Sequence, residues 1–214
     1  MSKPIDQVYY WDELLTQEDY DSAWFEIQQF QWELRGFSDK PFDSVQRMFW
    51  FKQLEGAGWL RSLLKRKVEE ILNQKITTLR LYANGQSHSQ CGWIHRDQEL
   101  THKGNFGTLV YFIHPEWKPF YGGHLILVDD TETKVTNSFF PKTNSAVLFN
   151  SKINHMGLEP SVYCTDQRIS VALKFKLTEP NEPSEIILGD MFKKFKHERP
   201  EIFYKKDNEN DHKN

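Results

Sequence analysis

The sequence predicts an α+β chain in which N-terminal helices buttress a β-sandwich of the jelly-roll, cupin-like type. Two observations carry this. Before residue 75, apolar residues recur at helical spacing in two segments. From Ile76 the pattern changes to short runs rich in β-branched and aromatic residues, separated by Gly, Pro, Asn and Asp. Helices followed by many short strands fit helices packed on an antiparallel sandwich. At 214 residues the chain suits one domain with a sizeable core. Within it we expect a helical support over 1–75, a β core over 76–178, a C-terminal extension over 179–204 and a disordered tail over 205–214.

The first helix is expected over residues 16–35. Thr16 and Asp19 resemble a capping box with Asp in place of Glu, and Tyr20, Ala23, Trp24, Ile27, Phe30 and Leu34 form one apolar stripe before Gly36. A second helix is expected over 56–73, with Leu60, Leu64, Val68 and Ile71 on one face and the basic residues Arg61, Lys65, Arg66 and Lys67 solvated. Strands are expected near 76–83, 93–97, 108–113, 124–128, 134–139, 145–150 and 169–177. The tail, YKKDNENDHKN, has too few apolar groups to offset its ordering entropy.

Bulk properties narrow the functional classes. A net charge of −3 gives no global positive field for nucleic acid or anionic membrane. The first residues lack the apolar run of a signal peptide, and no stretch has the length of a bilayer span, so a cytoplasmic protein is expected. Cys91 and Cys164 are too few for a disulfide framework and read as reduced thiols.

The chemistry sits in a three-part polar signature: His95-Arg96-Asp97, then His155, then Arg168. In an extended segment His95 and Asp97 fall on one face, because strand side chains alternate with period two. A second His on a neighbouring strand completes a site of two imidazoles and one carboxylate, the ligand type of non-haem Fe(II) oxygenases. Arg168 opens an alternating strand, with Ser170 and Ala172 on its own face and Ile169, Val171, Leu173 and Phe175 on the other. A planar guanidinium there can grip a carboxylate with two parallel hydrogen bonds.

The surrounding text resembles the prolyl 4-hydroxylase-like branch of the Fe(II)/2-oxoglutarate-dependent dioxygenases. Tyr82-Ala83-Asn84-Gly85 precedes His-x-Asp, a strand ends near Trp117, Gly122-Gly123-His124-Leu125 follows, an apolar strand leads to His155, and Arg168 begins the last strand. The resemblance spans 76–177 and implies a double-stranded β-helix. It also implies that His95, Asp97 and His155 bind Fe(II), with 2-oxoglutarate and O2 as co-substrates and ascorbate as a stimulant. Arg168, 13 residues after His155, then holds the distal carboxylate of 2-oxoglutarate. Tyr82 reaches its metal-side end, and Tyr111 or its neighbour Phe112 helps hold the distal carboxylate. The implied reaction hydroxylates a polar small molecule or a protein or amino-acid side chain, releasing succinate and CO2.

Arg80 shares the Tyr82 face and is expected to meet an anionic substrate or pair with an acid at the mouth. Loops 36–55, 84–94 and 98–107 are the candidate substrate-selecting segments. Two other readings compete. A non-catalytic cupin-like binding module has no need of the whole ligand set. Nucleic-acid demethylases, a cousin branch, carry a second Arg six residues after the first with Asn between, whereas Ser170 and Lys174 stand here.

Overall fold

The computed structural model describes residues 5–36 and 48–178. In chain order these form β1 (Tyr9–Trp11), α1 (Gln17–Gln28), β2 (Glu33–Gly36), β3 (Phe49–Gln53), α2 (Gly58–Leu72), β4 (Ile76–Gln86), β5 (Phe106–Phe112), a 3₁₀ turn (Pro119–Tyr121), β6 (Leu125–Val128), β7 (Val135–Phe139), β8 (Ala146–Asn150), β9 (Asn154–Gly157) and β10 (Arg168–Leu177). Seven strands make one sheet in the order β1-β8-β5-β10-β4-β3-β2, and β7-β6-β9 make a second. Every pairing is antiparallel. This is the jelly-roll architecture that the switch of periodicity at Ile76 predicts. The extension and tail expected beyond residue 178 lie outside the described residues, as does most of the 36–55 loop.

The large sheet is buried on both faces at its centre, which explains why β5 and β8 read as near-continuous apolar runs. One face carries Leu109, Tyr111, Leu148, Val171, Leu173 and Phe175 and packs on the apolar stripes of α1 and α2. The opposite face presents Val110, Phe112, Val147 and Phe149 to Leu125 and Leu127 of the small sheet. The site therefore forms between two sheets, while the helices brace the far side.

Helix α1 starts as expected: Thr16 Oγ1 accepts from the Asp19 amide at 3.2 Å. It ends at Gln28 instead of residue 35. The buried Lys52 donates to the Ile27 carbonyl at 3.0 Å, satisfying a terminal acceptor from outside the helix. Residues 33–36 then pair with β3, leaving Leu34 exposed. Strands β1, β2 and β3 all precede residue 75, so the expected helical support also extends the large sheet at both edges. The strand expected at 93–97 does not form; that segment makes one isolated bridge, between His95 and His155. Helix α2 is close to expectation, with Arg66 and Glu70 3.9 Å apart on its exposed face.

Beyond β5, His114 is fully buried against Trp117, ring centroids 4.4 Å apart. Burial lowers its pKa to about 4; the Pro115 carbonyl works against that shift and the Arg168 charge adds to it. The unfolded chain takes up this proton near pH 6.5 and the folded chain only near 4, so stability present above pH 6.5 is lost as pH falls towards 4. Between pH 7 and 4, the metal-free protein is expected to lose about 3 kcal/mol more than a His114→Phe variant in urea unfolding. Parallel pH profiles for the two proteins would contradict this.

Candidate active site

His95 and His155 are fixed to each other by their backbones. Each amide donates to the other's carbonyl, at 3.0 and 2.9 Å, which sets the two rings 4.4 Å apart. Both rings have the same tautomer for the same reason. Nδ1 of His95 faces the Trp93 carbonyl at 2.8 Å, and Nδ1 of His155 faces the Ile153 carbonyl at 3.0 Å. A carbonyl only accepts, so each Nδ1 carries the proton and each Nε2 presents a lone pair. Those lone pairs face Asp97, at 3.6 Å to Oδ1 and 3.7 Å to Oδ2.

Asp97 is held as firmly. Its amide donates to the Ser151 carbonyl at 3.0 Å, and its side chain is 2% exposed. Thr108 Oγ1 donates to Oδ2 at 2.6 Å, and Lys174 Nζ lies 2.6 Å from Oδ1. Burial alone would raise the Asp97 pKa, but the Lys174 ammonium and then the two histidines bring it well below the usual carboxylate range. Burial brings His155 down to about 4, against the pull of Asp97, so its imidazole stays neutral.

Two imidazole nitrogens and an anionic oxygen thus converge on one point, an arrangement that a bound cation stabilises. Cis donors on a six-coordinate ion with bonds of about 2.1 Å lie roughly 3 Å apart, so small side-chain movements close the gaps. The mixed imidazole–carboxylate set suits Fe(II) and the neighbouring divalent ions. The second-layer groups a metal site needs, carbonyls on Nδ1 and donors on the carboxylate, are in place.

The same cavity continues to Arg168, and its walls include Tyr82, Asn84, Gln86, Thr108, Val110 and Ser170. Arg168 is 2% exposed. Nε donates to the Gly123 carbonyl at 2.6 Å and Nη1 to Gln86 Oε1 at 2.7 Å, and the guanidinium lies 5.1 Å over the Phe112 ring. Among the described residues no carboxylate pairs with it, and burial pushes its pKa down to about 10. Two glycines give it room. A Cβ on Gly123 (φ +73°) would lie 3.0 Å from Arg168 Cδ, and one on Gly157 3.3 Å from Nη1. The space that Gly123 leaves is therefore filled by this side chain.

The structure brings together His95, Asp97, His155, Arg168 and Tyr82. Tyr111 is elsewhere: it packs on the helix side of the sheet, and its hydroxyl donates to Asn144 Oδ1 at 3.0 Å. Phe112 faces Arg168 in its place and brings no hydroxyl. Arg80 is not among the cavity walls; its guanidinium lies 4.5 Å over the Tyr82 ring, with the Glu55 carboxylate near enough to feel its charge. Lys174, Thr108 and Gln86 were missed. Continuing the alternation of Arg168, Ser170 and Ala172 by one step finds Lys174.

The sequence profile of the 2OG-Fe(II) oxygenase superfamily matches residues 77–176, the span that supplies every residue of this cavity except those of β3. Residues 77–176 form a 2OG-Fe(II) oxygenase domain. Its fold is that of the prolyl hydroxylase-like branch. A Trichoplax adhaerens prolyl hydroxylase, solved with a peptide of the hypoxia inducible factor oxygen degradation domain, superposes with a TM-score of 0.59 at 18% identity over 79% of this chain and 83% of its own. A Pseudomonas putida prolyl-4-hydroxylase gives 0.55 at 12% identity, over 80% and 93%. HygX from Streptomyces hygroscopicus, solved with nickel, 2-oxoglutarate and hygromycin B, gives 0.54 at 12%, over 80% and 83%. No curated protein matches the sequence. The oxygenase uses Fe(II), 2-oxoglutarate and O2, and no helix among the described residues is long and apolar enough to cross a membrane.

One equivalent of Co(II) or Mn(II) is expected to bind the metal-free protein and raise its melting temperature. His95→Ala and Asp97→Ala should each weaken binding at least tenfold, since loss of a second-layer contact alone costs that much, with circular dichroism unchanged. Stoichiometric, wild-type-like metal binding in both variants would refute the ligand assignment.

Proposed function

We propose that His95, Asp97 and His155 hold the iron and that Arg168 receives the distal carboxylate of 2-oxoglutarate. The primary substrate is then a polar small molecule or a protein or amino-acid side chain that becomes hydroxylated. The observation that carries this reading is a fully buried guanidinium, without a carboxylate partner, in the same cavity as the metal-ligand triad. A buried cation in that state is costly unless an anion completes it. When bound, iron and 2-oxoglutarate supply oxidative decarboxylation to succinate and CO2 and the oxidising power that acts on the substrate.

The chain's own part is to bind, orient and exclude. Gly157 stands two residues beyond His155 on the same face of β9, a rise of about 7 Å, and lies against Arg168. The triad and the cation are therefore linked by one short strand, so an acid gripped at Arg168 has its other end directed to the metal face. Gln86 fixes the guanidinium plane and is itself fixed by donating from Nε2 to the Gln90 carbonyl at 3.0 Å. Tyr82 walls the cavity between Arg168 and its mouth, and we assign it to the metal-side end of the co-substrate. Phe112, Val110 and Leu125 keep water from the closed end.

The substrate class rests on less. The Trichoplax enzyme is solved with a peptide and HygX with hygromycin B, and both kinds of substrate are compatible with this fold.

Losing a charge-assisted bidentate contact costs one to two decades of affinity. Arg168→Ala should therefore weaken 2-oxoglutarate about 10- to 100-fold in anaerobic titrations of the iron–keto-acid absorption band, with iron affinity unchanged. Gly123→Ala should weaken it in the same way through the displaced guanidinium. Unaltered 2-oxoglutarate affinity in Arg168→Ala would sink the assignment.

A further inference from the structure

Strands β4 and β10 pair in a register that sets Gln86 opposite Arg168, Asn84 opposite Ser170, Tyr82 opposite Ala172 and Arg80 opposite Lys174. All eight side chains belong to one face of the strand pair; six of them wall the cavity, and Lys174 and Arg80 continue the strip beyond it. Its two ends are alike in charge. Arg168 stands at the closed end, and the cross-strand pair Lys174 and Arg80 stands six residues away, roughly 20 Å along the strand. Between them the strip is neutral.

Two cations directly opposite on adjacent strands repel and destabilise the pair. Each has an acid nearby: Glu55 for Arg80, and Asp97 for Lys174, 2.6 Å from Nζ. Asp97 is also the carboxylate of the metal triad. Its single negative charge is thus claimed twice, by the ammonium and by a divalent ion. Once the ion is bound, metal, Asp97 and Lys174 together carry two positive charges and Arg168 a third. The 2-oxoglutarate dianion offsets two of them, and Arg80 and Glu55 offset each other. One positive charge remains, and Lys174, 21% exposed, is the group within the strip that can present it to an incoming molecule.

We propose that Lys174, at the exposed flank of Asp97, anchors an oxyanion group of the primary substrate, a carboxylate or a phosphate. The ammonium keeps one N–H on Asp97 and has two more to offer the incoming anion. This rests on the oxygenase reading above and deepens it by naming the charge of the substrate. It assigns Lys174 the role that Arg168 has for the co-substrate: one strand carries a cation for each of the two acids, on either side of the metal.

The test uses the full-length protein loaded with Mn(II) and saturated with 2-oxoglutarate, which occupies Arg168. Orthophosphate and carboxyl-¹³C-labelled propionate are the probes, read by the paramagnetic relaxation of ³¹P and ¹³C that Mn(II) causes in a nearby bound anion. Wild type should relax at least one probe, and which one responds distinguishes phosphate from carboxylate. Lys174→Gln should weaken that binding at least tenfold, and Lys174→Arg should retain it within about threefold. Relaxation of neither probe by wild type, or equal binding by Lys174→Gln, would overturn the proposal. The anaerobic Fe(II)–2-oxoglutarate absorption band separates the two readings. Its loss in Lys174→Gln alone would reassign Lys174 to holding Asp97 and so overturn the proposal, whereas its absence from wild type would remove the oxygenase reading itself.

Discussion

A guanidinium buried among neutral oxygens is the constraint from which the rest of this structure follows. Arg168 is removed from water with two carbonyl-type acceptors and an aromatic face for company, in surroundings where an uncompensated charge is expensive. Placing it there requires a strand buried on both faces, hence a sheet sandwiched between helices and a second sheet. It also requires a backbone that can approach the side chain closely, hence glycine at 123 and 157. Such an arrangement is retained only if something negative binds, and the cavity leads from the guanidinium to the metal-ligand triad.

The triad shows the same economy. Three lone-pair-bearing groups face one another at 3.6–3.7 Å, with their outer atoms already engaged by carbonyls, a hydroxyl and an ammonium. None of the three ring or carboxylate contacts gains from the proximity of the others until a cation enters. The rigidity comes from the backbone: the reciprocal His95–His155 bridge and the Asp97–Ser151 bond tie the irregular 93–98 segment to the β8–β9 connection. Preorganisation of this kind means that the ligands need little movement to meet an ion.

Much of this was legible in the sequence, and the gaps have physical causes. His95, Asp97, His155 and Arg168 were readable because alternation and ligand chemistry impose spacings that survive without a structure. Tyr111 was misplaced because the large sheet is buried on both faces: hydrophobicity identifies β5 as a core strand and gives no sign of which face meets the cavity. Helix α1 was drawn too long because its apolar stripe continues through Phe30 and Leu34, and only the pairing of β2 with β3 and the Lys52 contact with Ile27 end it at Gln28. The strand expected at 93–97 has the right composition but lacks a continuous partner. Lys174 escaped notice because a lysine late in a strand reads as a solvated end, although it lies three alternations from Arg168.

The packing around Arg168 also limits how this site can diverge. A lysine placed there would reach the cavity with one point charge, leave the Gly123 carbonyl and Gln86 Oε1 short of donors and open the space that two glycines now preserve. The exchange of arginine for lysine is therefore not a single step in sequence space. It is coupled to at least three other positions on three different segments, and contacting positions of this kind do not contribute independently. A lysine at 168 is therefore expected to be accommodated only together with changes at Gly123, Gly157 and Gln86.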